Sequence, residues 1–360
     1  PTMKILFLTD LYPIKKDEKN TPKTLYSFVQ DWRKLGHSVD VIKPNFVLNS
    51  FLRQKPYYPT GQYKSAYNAN YITPFCGDIK NKLPELDYSA YDVIIAHMPS
   101  GIIASNHFDG KLVCGVHCSD IEVLTNPLYS IYFKPEMEKA YDRAIGIACR
   151  SIVLRKKFLN LYPQYENKTF VAPSGINIQP IRRKATSMRK KDVLNIVTCA
   201  NLIKRKNIDK LIKVANDNEH IRLTVIGEGK EFKSLVKIAN KVKFTGYLPK
   251  DLVLEEMQNS DIFILPSVKE TFGMVYLEAM AMGCITVCTK DDGIDGIIKY
   301  GWNGFLTKPD SKSIKEVLSN ISNMDEGQIY NILQNCYNTV IDYDSTTCAE
   351  KYIQNILKNI

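Results

Sequence analysis

No apolar run in this 360-residue chain approaches the ~18 residues that a membrane-spanning helix requires, so none is expected. The nine cysteines are odd in number and contain no C-x-x-C pair. Cys114 and Cys118 are four apart, as are Cys284 and Cys288, on segments that read as extended. Reduced, buried thiols fit this better than a disulfide framework or a metal site. Residues 5–8 are followed at once by Asp10 and a charged stretch, so no signal peptide is expected. The dinucleotide fingerprint is incomplete as well, because Gly227-Glu228-Gly229 has no third glycine in register. Acid is in short supply: 38 Asp and Glu stand against 48 Lys and Arg, a net charge of +10. Residues 1–172 hold 22 basic and 16 acidic residues, and 173–360 hold 26 and 22. An excess spread over both halves fits anionic small ligands or an anionic membrane surface as well as nucleic acid.

What is present reads as a globular protein, 44% hydrophobic and 24% charged. The length exceeds one ordinary core, so two domains are expected. Short apolar runs at 4–9, 39–42, 93–96, 112–116, 145–148 and 169–172 read as strands of a first sheet. A second series follows at 194–199, 221–226, 242–244, 261–266, 285–288 and 304–306. Between strands, Leu25, Phe28, Val29 and Trp32 recur at helical spacing, as do Ile208, Leu211, Ile212 and Ala215. Strict alternation predicts an α/β protein of two doubly wound Rossmann-like domains facing across a ligand cleft. Pro173-Ser174-Gly175 and the basic run 182–191 mark the boundary. The expected division is 1–175, 176–340, and a final helix, 341–360, crossing back onto the first domain.

Two regions keep several readings open. Residues 45–74 are irregular and carry Tyr57, Tyr58, Tyr63, Tyr67 and Tyr71 among Arg53, Lys55 and Lys64. They read as plain loops, a base-stacking surface, or an acceptor- or membrane-facing region. Residues 151–162 are basic and apolar together, which suits a core helix with a solvated basic face or contact with anionic lipid.

The chemistry concentrates in residues 261–289, DIFILPSVKETFGMVYLEAMAMGCITVCT. This is a strand, a loop, a helix over 273–282 and a second strand. The first amides of a helix lack intrahelical partners and attract anions. Glu270 stands just before that helix and Glu278 within it. Carboxylates there suit sugar hydroxyls, or else simple capping and solvation. Lys204, Arg205 and Lys206 fall at the carboxyl end of the first strand of the same sheet, so cations and free amides converge. His97 and His117 each end a strand of the first sheet, where ligands of open parallel sheets bind. His117, followed by Cys118-Ser119-Asp120, is the stronger candidate.

The sequence resembles the retaining glycosyltransferases of family 4, which have the GT-B fold. The strongest match is the Glu, seven residues, Glu motif formed by Glu270 and Glu278 and closed by Gly283. Leu35-Gly36-His37, Pro173-Ser174-Gly175, Asn201-Leu202, Lys206-Asn207 and Gly301-Trp302-Asn303-Gly304 support it. The resemblance implies Lys206 on the donor diphosphate, Glu278 on the ribose and Glu270 near the donor sugar. It also implies amides of Phe272, Gly273, Met274 and Val275 on the phosphates, and His117 near the sugar from the first domain. Catalytic roles fall to His117, Glu270 and Lys206. Asn201 departs from the family's arginine, and Lys204 or Arg205 is the candidate substitute. The paired glycines after the first strand are replaced by Asn20-Thr21-Pro22-Lys23-Thr24, so Thr21 or Lys23 would have to reach a phosphate.

The expected activity is transfer of a sugar from a nucleotide sugar, UDP first, to a glycan or lipid-linked acceptor in surface polysaccharide synthesis. No metal or other cofactor and no nucleic acid partner is expected. The expected location is cytoplasmic, with a peripheral place at the anionic inner membrane face. A nucleotide-sugar epimerase or hydrolase on the same fold is the enzymatic alternative, and a basic nucleic-acid binder the non-enzymatic one.

Overall fold

The computed structural model describes residues 2–13, 21–46, 66–71, 86–182 and 193–359. The chain divides into two compact units. The first comprises 1–150, 154–174 and 345–360, and the second 151–153 and 175–344.

The first unit is built on seven strands: β1 (Lys4–Leu8), β2 (Ser38–Phe46), β3 (Ala66–Tyr71), β4 (Val93–His97), β5 (Leu112–Val116), β6 (Gly146–Cys149) and β7 (Thr169–Val171). Their order is β3-β2-β1-β4-β5-β6-β7. Every pairing is parallel, with Ile5 opposite Val39 on one side and Val93 on the other. The strands are apolar on both faces because helices cover both. Leu6, Leu8, Ile94 and Ala96 join the core under the helices Met98–Ala104 and Pro127–Arg143. Ile5, Phe7, Val93 and Ile95 join Trp32 and Tyr352 on the opposite face. Tyr352 belongs to the helix Ser345–Leu357, which docks on Thr24–Lys34. Trp32 Nε1 donates to the Ala349 carbonyl at 3.0 Å, and the Trp32 and Tyr352 rings meet edge to face at 5.3 Å.

The second unit has six parallel strands: β8 (Leu194–Cys199), β9 (Ile221–Ile226), β10 (Val242–Gly246), β11 (Ile262–Leu265), β12 (Ile285–Thr289) and β13 (Phe305–Thr307), in the order β10-β9-β8-β11-β12-β13. In each sheet the first strand lies in the middle and the order reverses there. Such a switch point leaves a crevice at the carboxyl ends of the strands. Two parallel-sheet α/β units are the observed fold class.

The structure differs from the sequence expectation in two places. Residues 66–71, read as irregular, form β3, which pairs along β2 from Val41–Ala66 to Phe46–Tyr71. The tyrosines at 57, 58 and 63 lie outside the described residues, as do Arg53, Lys55 and Lys64. The helix Lys250–Gln258 went unread, because only Val253 and Met257 of its nine residues are buried and its apolar stripe is thin. Residues 98–135 hold the helices Met98–Ala104 and Cys118–Thr125 and the start of Pro127–Arg143.

Candidate functional site

In the second unit, β8 and β11 are neighbours, so the loops leaving their carboxyl ends lie side by side. The loop after β8 is bound tightly to the loop after β9. Leu202 N donates to the Glu228 carbonyl at 2.7 Å and Glu231 N to the Leu202 carbonyl at 2.9 Å. Gly227, at φ +124°, leaves no room for a side chain, since a Cβ would sit 2.0 Å from the Ala200 oxygen. Gly227-Glu228-Gly229 is therefore a packing device for this loop, which explains why it lacks the rest of a dinucleotide motif.

The loop from β8 then turns through Lys204–Lys206 and reaches Asn207 in a left-handed conformation, φ +52°. Asn207 Nδ2 donates to the Pro266 carbonyl at 2.9 Å, and Val268 N donates to the Arg205 carbonyl at 2.9 Å. The Arg205 guanidinium donates to the carbonyl of Lys269 at 3.1 Å. These contacts clamp the loop after β8 onto the loop after β11. They bring the Lys206 ammonium onto the Glu270 carboxylate as an ion pair, with Arg205 3.7 Å from the same oxygen.

Glu270 is fixed from the other side too. Its amide donates to both oxygens of the Asp292 carboxylate at 3.2 Å. Gly293 lies so close that a Cβ there would be 3.1 Å from that of Glu270. Lys269 and Asp291 also have positive φ, +59° and +58°. Left-handed non-glycine residues cost energy and persist only where surroundings over-determine them. The loops holding Glu270 are thus shaped against local preference.

The helix Met274–Ala281 begins at Gly273, where φ is +90° and a Cβ would sit 2.6 Å from the Tyr276 ring, so both favour glycine. Tyr276 is buried and donates its hydroxyl to the Leu265 carbonyl at 2.7 Å, pinning the helix start to the end of β11. Phe272 is buried beneath this turn, and Met274 and Val275 pack on the core. One turn further, Glu278 is nearly buried and forms an ion pair with Lys250, the first residue of Lys250–Gln258. The Cys199 thiol at the end of β8 lies in the field of these groups. Burial, then the Glu278 charge, pushes it up to about 11, against the opposing pull of Lys250 and Lys206.

The structure thus brings Lys206, Arg205, Glu270, Phe272, Gly273, Met274, Val275 and Glu278 to the carboxyl ends of β8 and β11. Asn201 begins the same loop and is exposed. Lys204 does not join the carboxylates. It lines a separate groove with Asn207, Asp209, Lys210, Glu231 and Ser234. Lys250 and Asp292 were missed by the sequence reading. Lys250 was hidden with its helix. Asp292 was signalled only by the Asp291-Asp292-Gly293 turn after β12.

His117, in the first unit, is the N-cap of Cys118–Thr125, and its amide donates to the Asp120 carboxylate at 2.7 Å. It does not stand alone. His117 Nε2 lies 2.8 Å from His97 Nδ1, and His97 Nε2 lies 2.9 Å from the Tyr352 hydroxyl. His97 is fully buried and His117 nearly so. Burial, with Arg150 adding repulsion, pushes both imidazoles well below their usual value, so both are neutral near pH 7. Arg150 is itself buried, donates to the Ala172 carbonyl and Ser174 hydroxyl, and stacks 4.7 Å from the Phe28 ring. His97 lies so close over Gly115 that a Cβ there would be 2.2 Å from its ring. Among the described residues, no group of three or more His, Cys, Asp or Glu is gathered as a metal site.

Residues 180–332 match the family model of glycosyl transferases group 1. Over 94% of both chains, the protein is 26% identical to the putative teichuronic acid biosynthesis glycosyltransferase TuaC of Bacillus subtilis. It is 25% identical over 190 residues to the phosphatidylinositol N-acetylglucosaminyltransferase gpi3 subunit of Schizosaccharomyces pombe. That match takes in 49% of this chain and 40% of the relative. The fold superposes on the crystal structure of Anabaena Alr3699/HepE in complex with UDP, with a TM-score of 0.72, 19% identity and coverage of 99% and 100% of the two chains. Two parallel α/β units and this superposition give the chain the GT-B fold, and residues 180–332, which carry the ion-paired loops, match glycosyl transferases group 1.

Proposed function

We propose that the protein is a retaining, metal-independent glycosyltransferase. It takes its sugar from a nucleoside-diphosphate sugar, UDP first, and passes it to a glycan or lipid-linked acceptor in surface polysaccharide synthesis. The observation that carries this reading is the paired arrangement of Lys206 with Glu270 and Lys250 with Glu278 about the start of Met274–Ala281. Cations and helix amides suit a diphosphate, and the two carboxylates suit hydroxyls on either side of it. Relatives named for teichuronic acid and for phosphatidylinositol support a glycan or lipid-linked acceptor.

In this reading the acceptor hydroxyl attacks the anomeric carbon from the face the diphosphate leaves. The donor C–O bond breaks as the new one forms. The departing diphosphate oxygen receives the acceptor proton. Lys206 and the amides of residues 272–275 stabilise the charge that develops on the leaving group, and Glu270 orients the sugar. Arg205 is the better candidate for the cation missing at Asn201, since Lys204 faces another groove.

A membrane location draws support from Pro127–Arg143. Its first half exposes Leu128, Tyr129, Ile131 and Tyr132 together, beside Lys134. Apolar and aromatic side chains near a cation suit an anionic lipid surface. Among the described residues no helix is long and apolar enough to cross a membrane.

The deciding experiment titrates the protein with nucleotides and nucleotide sugars under chelation, then repeats this on Glu278→Ala. UDP should bind the wild type, and the variant should lose at least about tenfold in affinity, roughly 1.4 kcal/mol. Unchanged affinity in the variant removes the ribose role of Glu278. Turnover of the nucleotide sugar without an acceptor would favour a hydrolase or epimerase instead.

A further inference from the structure

We infer that Lys250 is a donor-binding cation, paired with Glu278 and transferred to the donor diphosphate when a nucleotide enters. The inference rests on the nucleotide-binding reading of Glu278 given above.

The placement of Lys250 argues against a role in helix stability. It is the first residue of Lys250–Gln258, where the helix dipole favours anions and a cation is disfavoured. Its ammonium meets Glu278, a residue of a different helix that is itself almost buried. The Lys250 side chain is 50% exposed, against 10% for that of Glu278. One partner is fixed and the other is free to swing on a long aliphatic stem.

The other cations are less able to move. Lys204 lines another groove. Arg205 holds the carbonyl of Lys269 and stands beside Glu270, so shifting it would release the loop that positions that carboxylate. Lys250 and Lys206 both act on the half-buried Cys199 thiol, which puts their charges about the same strand end.

Charge balance then gives the device its logic. Lys206, Arg205 and Lys250 face Glu270 and Glu278, so both carboxylates are already paired and one positive charge is left over. A neutral ribose diol competes poorly with an ammonium for a carboxylate, because the ammonium adds a full charge–charge attraction to its hydrogen bond. A nucleoside alone must therefore displace Lys250 and leave it without an anionic partner. A nucleoside diphosphate offers phosphate oxygens to the released ammonium, and Glu278 is then open to the diol. The exchange makes the site select nucleoside diphosphates over nucleosides.

The test is the binding of UDP and of uridine, without metal, to wild type, Lys250→Met and Lys250→Arg. Lys250→Met retains the aliphatic stem, and a thermal melt checks that it folds. In Lys250→Met, UDP affinity should fall about tenfold or more while uridine affinity stays or rises, because Glu278 is freed. Lys250→Arg should recover most of the UDP affinity. UDP affinity that is unchanged or raised in Lys250→Met overturns the inference, as does an equal fall for both ligands. Glu278→Ala reports separately: if that variant still binds UDP as wild type does, the ribose reading itself has failed, whatever Lys250 does.

Discussion

The two units place polar side chains in the same part of the same kind of sheet, yet treat them in opposite ways. At the strand ends of the first, His97 and His117 are buried, neutral and hydrogen-bonded to each other and to Tyr352. At the strand ends of the second, Lys206, Glu270, Lys250 and Glu278 are charged and paired, and each pair keeps some access to water. A neutral chain with both ends satisfied is an internal scaffold. Each proton between its members fixes the tautomer of the next, so Tyr352, on the last helix, bears on the protonation of His117. Ion pairs near the surface are weak by comparison and can be exchanged for a ligand. The first arrangement holds a shape, and the second holds charges ready for a binding partner.

The largest expected effect breaks the second arrangement. Lys206→Ala should lower the sugar-transfer rate by about 10²–10³-fold, or roughly 2.7–4 kcal/mol, as for a lost stabiliser of a developing anion. Single-turnover transfer measures this, and transfer at full rate would remove the diphosphate role of Lys206.

A smaller effect sharpens the contrast through pH. Burial holds both imidazoles below their ordinary value, so the folded chain binds fewer protons than the unfolded chain below pH ~6.5. Their neutral state is therefore fully compatible with folding above that value, and stability falls as the pH drops through it. The loss should reach up to about 1.4 kcal/mol per pH unit for each histidine. Denaturant unfolding from pH 7 to pH 5 measures it, and His97→Gln should flatten the slope.

The smallest effect isolates one link of the chain. Tyr352→Phe keeps the ring packed on Trp32, Phe28 and Phe170 but leaves His97 Nε2 without its partner. A destabilisation of about 1–3 kcal/mol is expected from a buried group left unsatisfied. A thermal melt that matches wild type would show that the hydroxyl contributes nothing to the scaffold.

Much of this was legible in the chain. The strands are buried on both faces, so each writes itself as a short run of Val, Ile, Leu and Phe, and the parallel α/β class follows from their alternation with helices. Thr24–Lys34 was readable because Leu25, Phe28, Val29 and Trp32 form a full apolar stripe. Lys250–Gln258 was not, because two buried residues make no stripe. Strand β3 was obscured by Tyr and Asn in place of aliphatic residues.

Sequence by itself determined the fold class and the local chemistry on either side of Gly273. A glycine at a left-handed helix start, with Glu270 before it and Glu278 after, is set by residues adjacent in the chain. Only tertiary structure decided the partners. Lys206 and Glu270 are 64 residues apart, and Lys250 reaches Glu278 from a helix with almost no sequence signal. His97 meets Tyr352 across 255 residues. Backbone preference and apolar periodicity act over a few residues and leave a trace in order. Ion pairs and buried hydrogen bonds depend on which strand ends the sheet makes neighbours, and no short stretch of sequence records that.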